Sequence, residues 1–119
     1  MNTTHLIAFV AANANLQLAH WAAPSCTNEH ATLGALYSTM TELTDDLAEM
    51  VLGKAGSREL PSATVQLRPP TSHADMLAEM LMVVAAARAE ITDPADEDLA
   101  NTLADMAAAL NKARYLLQV

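Results

Sequence analysis

The stretch from Asn28 to Leu52 leaves little choice of fold. Leu33, Leu36, Met40, Leu43, Leu47 and Val51 recur at intervals of three and four residues, the spacing that lays one apolar stripe along an α-helix. Tyr37 and Thr44 border that stripe. A half-buried strand would need alternation at every second residue, which this run lacks. Pro24, Ser25, Thr27 and Asn28 mark a tight connection and a helix start just before it. Gly53 suits the residue past its end, with Lys54 beside it to meet the last carbonyls. A helix of this kind must bury its stripe against other helices.

Three more helical segments are legible. From about Thr3 to Ala23, Leu6, Ile7, Val10, Ala14, Gln17, Leu18 and Trp21 fall on one stripe, with Asn13 and Asn15 mainly off it and Thr3 or Thr4 as cap. Ser72 with Asp75 forms a capping-box start for a third helix through Met76, Leu77, Met80, Leu81, Val84 and Ala87 to about Ile91. Asp93 and Pro94 then open a fourth, with Asp96, Glu97 and Asp98 in its first turn. That helix buries Leu99, Leu103, Met106, Leu110 and Leu117 and ends near Lys112 and Arg114.

Between helices two and three, residues 53–70 hold Gly56, Pro61, Pro69 and Pro70 and show no helical period. Helix two rises about 36 Å, and an extended linker of this length reaches further, at ~3.3 Å per residue. The connections run short, long, short. That pattern predicts an all-α bundle, up-down-down-up, with a long crossover between helices two and three that makes them parallel.

Composition agrees with an all-α class and with one domain over residues 1–119. Hydrophobic residues reach 52% with aromatics at only 3%, and the chain holds three glycines. The formal charge is −8, and no Lys or Arg precedes Lys54. Binding to nucleic acid needs clustered cations to displace counterions from phosphate, so no nucleic-acid partner is expected. An anionic membrane surface is disfavoured on the same ground. The nearly uncharged run from Leu6 to Glu29 is broken by Asn13, Asn15, Gln17, His20 and Pro24, which makes a poor membrane span. One cysteine, Cys26, and no basic leader point to a cytoplasmic setting.

The residue types able to do chemistry gather between His20 and Glu49. Asp45 and Glu49 are four apart on one helix face, so both carboxylates reach one cation. His30 lies fifteen residues earlier, ~22 Å away along the axis, and cannot join them within one chain. Two copies of helix two packed antiparallel, crossing near Tyr37 and Ser38, would bring each His30 to the other copy's Asp45 and Glu49. Mixed imidazole and carboxylate ligands suit Fe or Zn. The same acidic residues, with Glu42 and Asp46, also read as an ordinary solvated helix face. His20 beside Trp21 reads equally as a helix-end residue bonding terminal carbonyls. His73, Asp75 and Glu79 form a weaker metal candidate, while His5 reads as a surface residue. The seven methionines read as packing, and the rings of Tyr37 and Tyr115 as parts of the core.

His20-Trp21, His30, Leu33, Tyr37, Asp45, Leu47, Ala48 and Glu49 together resemble the Dps-like miniferritins of the ferritin superfamily. The whole chain, with Asn111 to Leu116 near its end, is also similar to a small group of phage-encoded ferritin-like proteins of unknown function. The resemblance implies a homodimer or higher oligomer binding iron, with zinc as substitute, at intersubunit sites. In it His20 and His30 are nitrogen ligands and Asp45 and Glu49 carboxylate ligands, and the implied activity is oxidation of Fe(II). No basic tail is present, so the family's DNA binding is not implied. The competing reading is a non-enzymatic interaction or structural protein that has kept the bundle without metal turnover.

Overall fold

The computed structural model describes residues 1–67 and 72–119. Four helices form an all-α bundle: α1 (Thr4–Ala22), α2 (Asn28–Ala55), α3 (His73–Ala89) and α4 (Glu97–Leu117), the last preceded by a 3-10 turn at Pro94–Asp96. With 28 residues, α2 is about 42 Å long at 1.5 Å per residue, nearly the full 44 Å long axis of the molecule. Among the described residues α1 packs on α2 and α3, and α4 packs on α2 and α3. The pairs α1/α4 and α2/α3 stand across the diagonals.

The core is built from the expected stripes of three helices. Leu33, Leu36, Met40, Leu47 and Val51 of α2, Met76, Leu77, Met80, Val84 and Ala87 of α3, and Leu99, Leu103, Met106 and Leu110 of α4 are all buried. The sequence reading of α1 is out of phase. Its buried residues are Leu6, Phe9, Asn13, Leu16 and Ala19, whereas Val10 is 57% and Trp21 65% exposed. The helix is apolar on nearly every side, so its composition offers two stripes and periodicity alone cannot choose between them. Asn13 is drawn inside because α2 supplies a partner. Its Nδ2 donates to Thr44 Oγ1 at 2.9 Å, and Thr44 Oγ1 donates to the Met40 carbonyl at 2.7 Å. That link ties α1 to the middle of α2, although Asn13 Oδ1 finds no partner among the described residues, at a cost of about 1–3 kcal/mol.

Helix ends follow local chemistry with two departures. Ser72 accepts from the Asp75 amide at 3.1 Å and Asp93 from the Ala95 amide at 2.9 Å, as expected for N-caps. At the start of α1 the capping oxygen comes from Asn2, which accepts from the Thr4 amide at 2.9 Å, rather than from a threonine. α2 runs past Gly53 and stops at Gly56, whose φ of 65° is the left-handed conformation that glycine adopts without strain. Lys54 explains the extra turn. Its Nζ donates to the Ala95 carbonyl at 3.1 Å and pairs with Asp98 at 3.1 Å and Asp96 at 3.5 Å, fastening the end of α2 to the start of α4. Tyr115, expected to lend its ring to the core, is 81% exposed, while Tyr37 does pack against it.

Beyond Gly56 the chain carries no regular structure through Leu67, with Leu60, Val65 and Leu67 exposed. The Pro69–Pro70 part of the expected crossover lies outside the described residues. No helix of the described residues is long and apolar enough to cross a membrane.

The Lys54 junction makes a pH prediction. Hydrogen bonding to Lys54 holds the Asp98 carboxyl below its usual value, and the bond to Asp98 raises the Lys54 ammonium. A depressed carboxyl contributes stability above its unfolded pKa and loses it as pH falls through the folded one. A raised amine contributes below its unfolded pKa and loses it as pH rises through the folded one. Thermal melts across pH are therefore expected to show Lys54→Ala less stable than wild type at neutral pH. The gap should close in the acid carboxylate range and again at strongly alkaline pH.

Candidate functional site

The clearest local chemistry lies where the end of α1 meets the start of α2. Thr27 caps α2, its hydroxyl accepting from the His30 amide at 3.1 Å and donating to the Pro24 carbonyl at 2.7 Å. This turn sets His30 against the last turn of α1. His30 Nδ1 donates to the His20 carbonyl at 3.0 Å and the Ala23 carbonyl at 3.1 Å, oxygens that a helix C-terminus leaves without full intrahelical partners. His20 Nδ1 donates in return to the His30 carbonyl at 2.9 Å. The two rings lie 4.1 Å apart between centroids, tilted by 32°. Carbonyl oxygens only accept, so Nδ1 of each imidazole is the donor, and each Nε2 stands outside these bonds.

Gly34 makes this arrangement fit. A Cβ built there would stand 2.6 Å from His20 Cε1 and 3.0 Å from its Nδ1. The missing side chain opens a notch in α2 through which His20 reaches the carbonyl one turn earlier. Sequence reasoning gave Gly34 no role. Its signal was there to be read: a glycine inside a strong helix costs about 1 kcal/mol against alanine and so implies a packing reason.

The four sequence-predicted ligands thus divide into two groups. His20 and His30 come together, half-buried, through a reciprocal bond in which His30 rather than His20 caps the terminal carbonyls of α1. Asp45 and Glu49 are exposed on α2, too far along the helix to reach His30. Glu49 lines an open depression of about 420 Å³ with Asp46, Met50 and Thr102, on the side toward α4. Among the described residues no three His, Cys, Asp or Glu side chains are grouped so as to hold a metal ion within one chain. His73, Asp75 and Glu79 do not converge either, and Asp75 supplies the first-turn charge of α3. His5 Nε2 meets Glu90 Oε2 at the opposite end, and hydrogen bonding to His5 keeps the Glu90 carboxyl below its usual value. Cys26 is a free, exposed thiol in the α1–α2 turn.

The protein is an all-α four-helix bundle whose α1–α2 corner is closed by paired imidazoles. Residues 20–117 match the model of a family of unknown function, DUF5856, and the chain belongs to that family. No curated protein and no solved structure matches it.

A double-mutant cycle tests the imidazole notch. Gly34→Ala should destabilise the wild type by about 1–3 kcal/mol in urea melts, because the methyl displaces a hydrogen-bonded ring. In a His20→Ala background the same change should stabilise by roughly 0.5–1 kcal/mol through helix propensity. Equal effects in both backgrounds would show that Gly34 does not serve His20.

Proposed function

We propose that this chain is a helical-bundle interaction or structural protein that keeps its frame without metal turnover. One observation carries the reading. The histidines that hinted at metal chemistry have a structural use within one chain, each Nδ1 closing the α1–α2 corner on a backbone carbonyl, with Gly34 shaped to admit one ring. The acidic residues of α2 are exposed like any solvated helix face. A cytoplasmic setting and partners other than nucleic acid or membrane remain part of this reading, supported by the −8 charge and the single cysteine. In equilibrium dialysis with Zn(II), or anaerobically with Fe(II), the protein is expected to show no saturable binding at micromolar concentration. Its melting temperature should be unmoved by chelator, whereas a bound metal at a hundredfold excess over Kd would add about 2.7 kcal/mol. Saturable binding that Asp45→Ala removes would overturn the reading.

A second reading is favoured by one specific feature. Both imidazoles donate through Nδ1 to a backbone carbonyl, as the outer nitrogen of a metal-bound histidine commonly does, which leaves Nε2 as the atom able to meet a ligand. The imidazoles therefore fit one half of a ferritin-like intersubunit site for iron or zinc. Asp45 and Glu49 fit the other half only when a second copy provides them. The up-down-down-up topology belongs with this reading. His5–Glu90 joins the start of α1 to the end of α3. Asn28 Nδ2 donates to the Leu116 carbonyl at 2.8 Å, joining the start of α2 to the end of α4. These end contacts support α2 and α3 running parallel. Bound iron would supply redox chemistry, and His20, His30, Asp45 and Glu49 would hold it.

Mixed dimers test this second reading. Pairing a His30→Ala chain with an Asp45→Ala/Glu49→Ala chain should leave one intact site and one stripped site. Metal titration should then give about half the wild-type stoichiometry at near-normal affinity, as expected of independent sites. Two weakened sites, or undiminished binding, would exclude a site shared between copies.

A further inference from the structure

We infer that the outer face of α1 is a docking surface for a second copy of this chain, the two α1 helices lying antiparallel. The inference rests on the interaction-protein reading above and names its partner. Val10 and Trp21 are 57% and 65% exposed. They are eleven residues apart, three helical turns, and so share one face. Ala14 and Gln17 lie between them on that face, at intervals of four and three. The stripe flanks the face of Phe9, Asn13, Leu16 and Ala19, which is turned to the bundle's own core. An antiparallel copy centred between Ala14 and Gln17 brings Val10 of each chain against Trp21 of the other. The small Ala14 near the axis permits close approach. The same patch thus serves on both copies, as a two-fold contact requires.

Charge selects the occupant. All fourteen acidic and all six basic side chains lie from Glu29 onward, and α1 contains no Asp, Glu, Lys or Arg. Copies carrying −8 each meet like charge at Glu42, Asp45, Asp46 and Glu49 of α2, at Asp75 and Glu79 of α3, and at Glu97, Asp98 and Asp105 of α4. At α1 they do not. The first turns of α2 extend the neutral zone, since no Asp, Glu, Lys or Arg occurs between Glu29 and Glu42, and Ala31, Ala35 and Ser38 are exposed there. A cationic partner would be drawn instead to the acidic helices, because complementary potential guides which surfaces meet. An uncharged, self-complementary stripe on a strongly acidic protein fits a copy of itself.

The chain's only tryptophan lies in the proposed contact, so one experiment reads both association and place. Sedimentation equilibrium and Trp21 fluorescence would be followed from about 1 μM to 1 mM protein, the range of a modest interface. Wild type should pass from monomer to dimer with a blue shift of Trp21 emission. Val10→Glu, at an exposed position and checked by circular dichroism, should raise the dimer dissociation constant at least about tenfold, as loss of a central apolar contact does. Val10→Ile should leave it unchanged. Met82→Glu, at a side chain 71% exposed on α3, should also leave it unchanged. A wild type monomeric throughout, or association without a Trp21 shift, overturns the inference. Association that survives Val10→Glu but not Met82→Glu overturns this surface and leaves the interaction reading standing. Saturable metal binding in the titrations above would sink that reading without touching the dimer measurement.

Discussion

Each of the four helices has one stripe that water must not reach, and no two of them can hide both stripes completely. The shared core of Leu33, Met40, Leu47, Leu77, Leu103, Met106 and Leu110 solves this by drawing the stripes of α2, α3 and α4 around Phe9 and Leu16 of α1. Burial is without direction, so it fixes that the helices meet but not how far each slides along the next. The slide is set by polar links at defined heights. Lys54 holds the end of α2 to the start of α4, Asn28 holds its start to the end of α4, and Asn13 holds its middle to α1. His20 and His30 close the remaining corner.

These links also explain which parts of the fold could be read in advance. The stripes of α2 and α4 stand out because charged residues occupy the opposite face, and the caps at Ser72 and Asp93 are local signals that need no tertiary knowledge. In α1 that contrast is missing. With no charge to mark the outside, Val10 and Trp21 look as much like core residues as Phe9 and Leu16 do. The deciding fact is a partner for Asn13 thirty-one residues away in the chain. The end of α2 moved from Gly53 to Gly56 for the same reason, because the anchor for Lys54 sits on another element.

The site was legible as a pair of histidines but not as a junction. Sequence spacing says that His20 and His30 flank one turn. It does not say that their rings touch, nor that each satisfies the other's backbone. That knowledge needs the notch at Gly34, whose meaning appears only once α1 lies against it. Two imidazoles bonded through Nδ1 to carbonyls are chemically the same object whether they serve as a clasp or as half of a ligand set. Geometry within one chain therefore favours the simpler role, and a metal role demands carboxylates from elsewhere.

The uneven charge of the chain bears on both questions. An acidic shell over α2, α3 and α4 disfavours contact between like faces of two copies. It also depresses the cost of bringing cations near, which would serve a metal-binding protein and a purely structural one alike. The neutral helix is different in kind. Surface apolar side chains scattered singly need no explanation, but Val10 and Trp21 lie three turns apart on one face of a helix that holds no Asp, Glu, Lys or Arg. A surface helix of an acidic protein that has no partner gains nothing from being free of charge, since polar residues there would cost little and favour solubility. The absence of charge makes physical sense when that face spends its time against another surface as uncharged as itself.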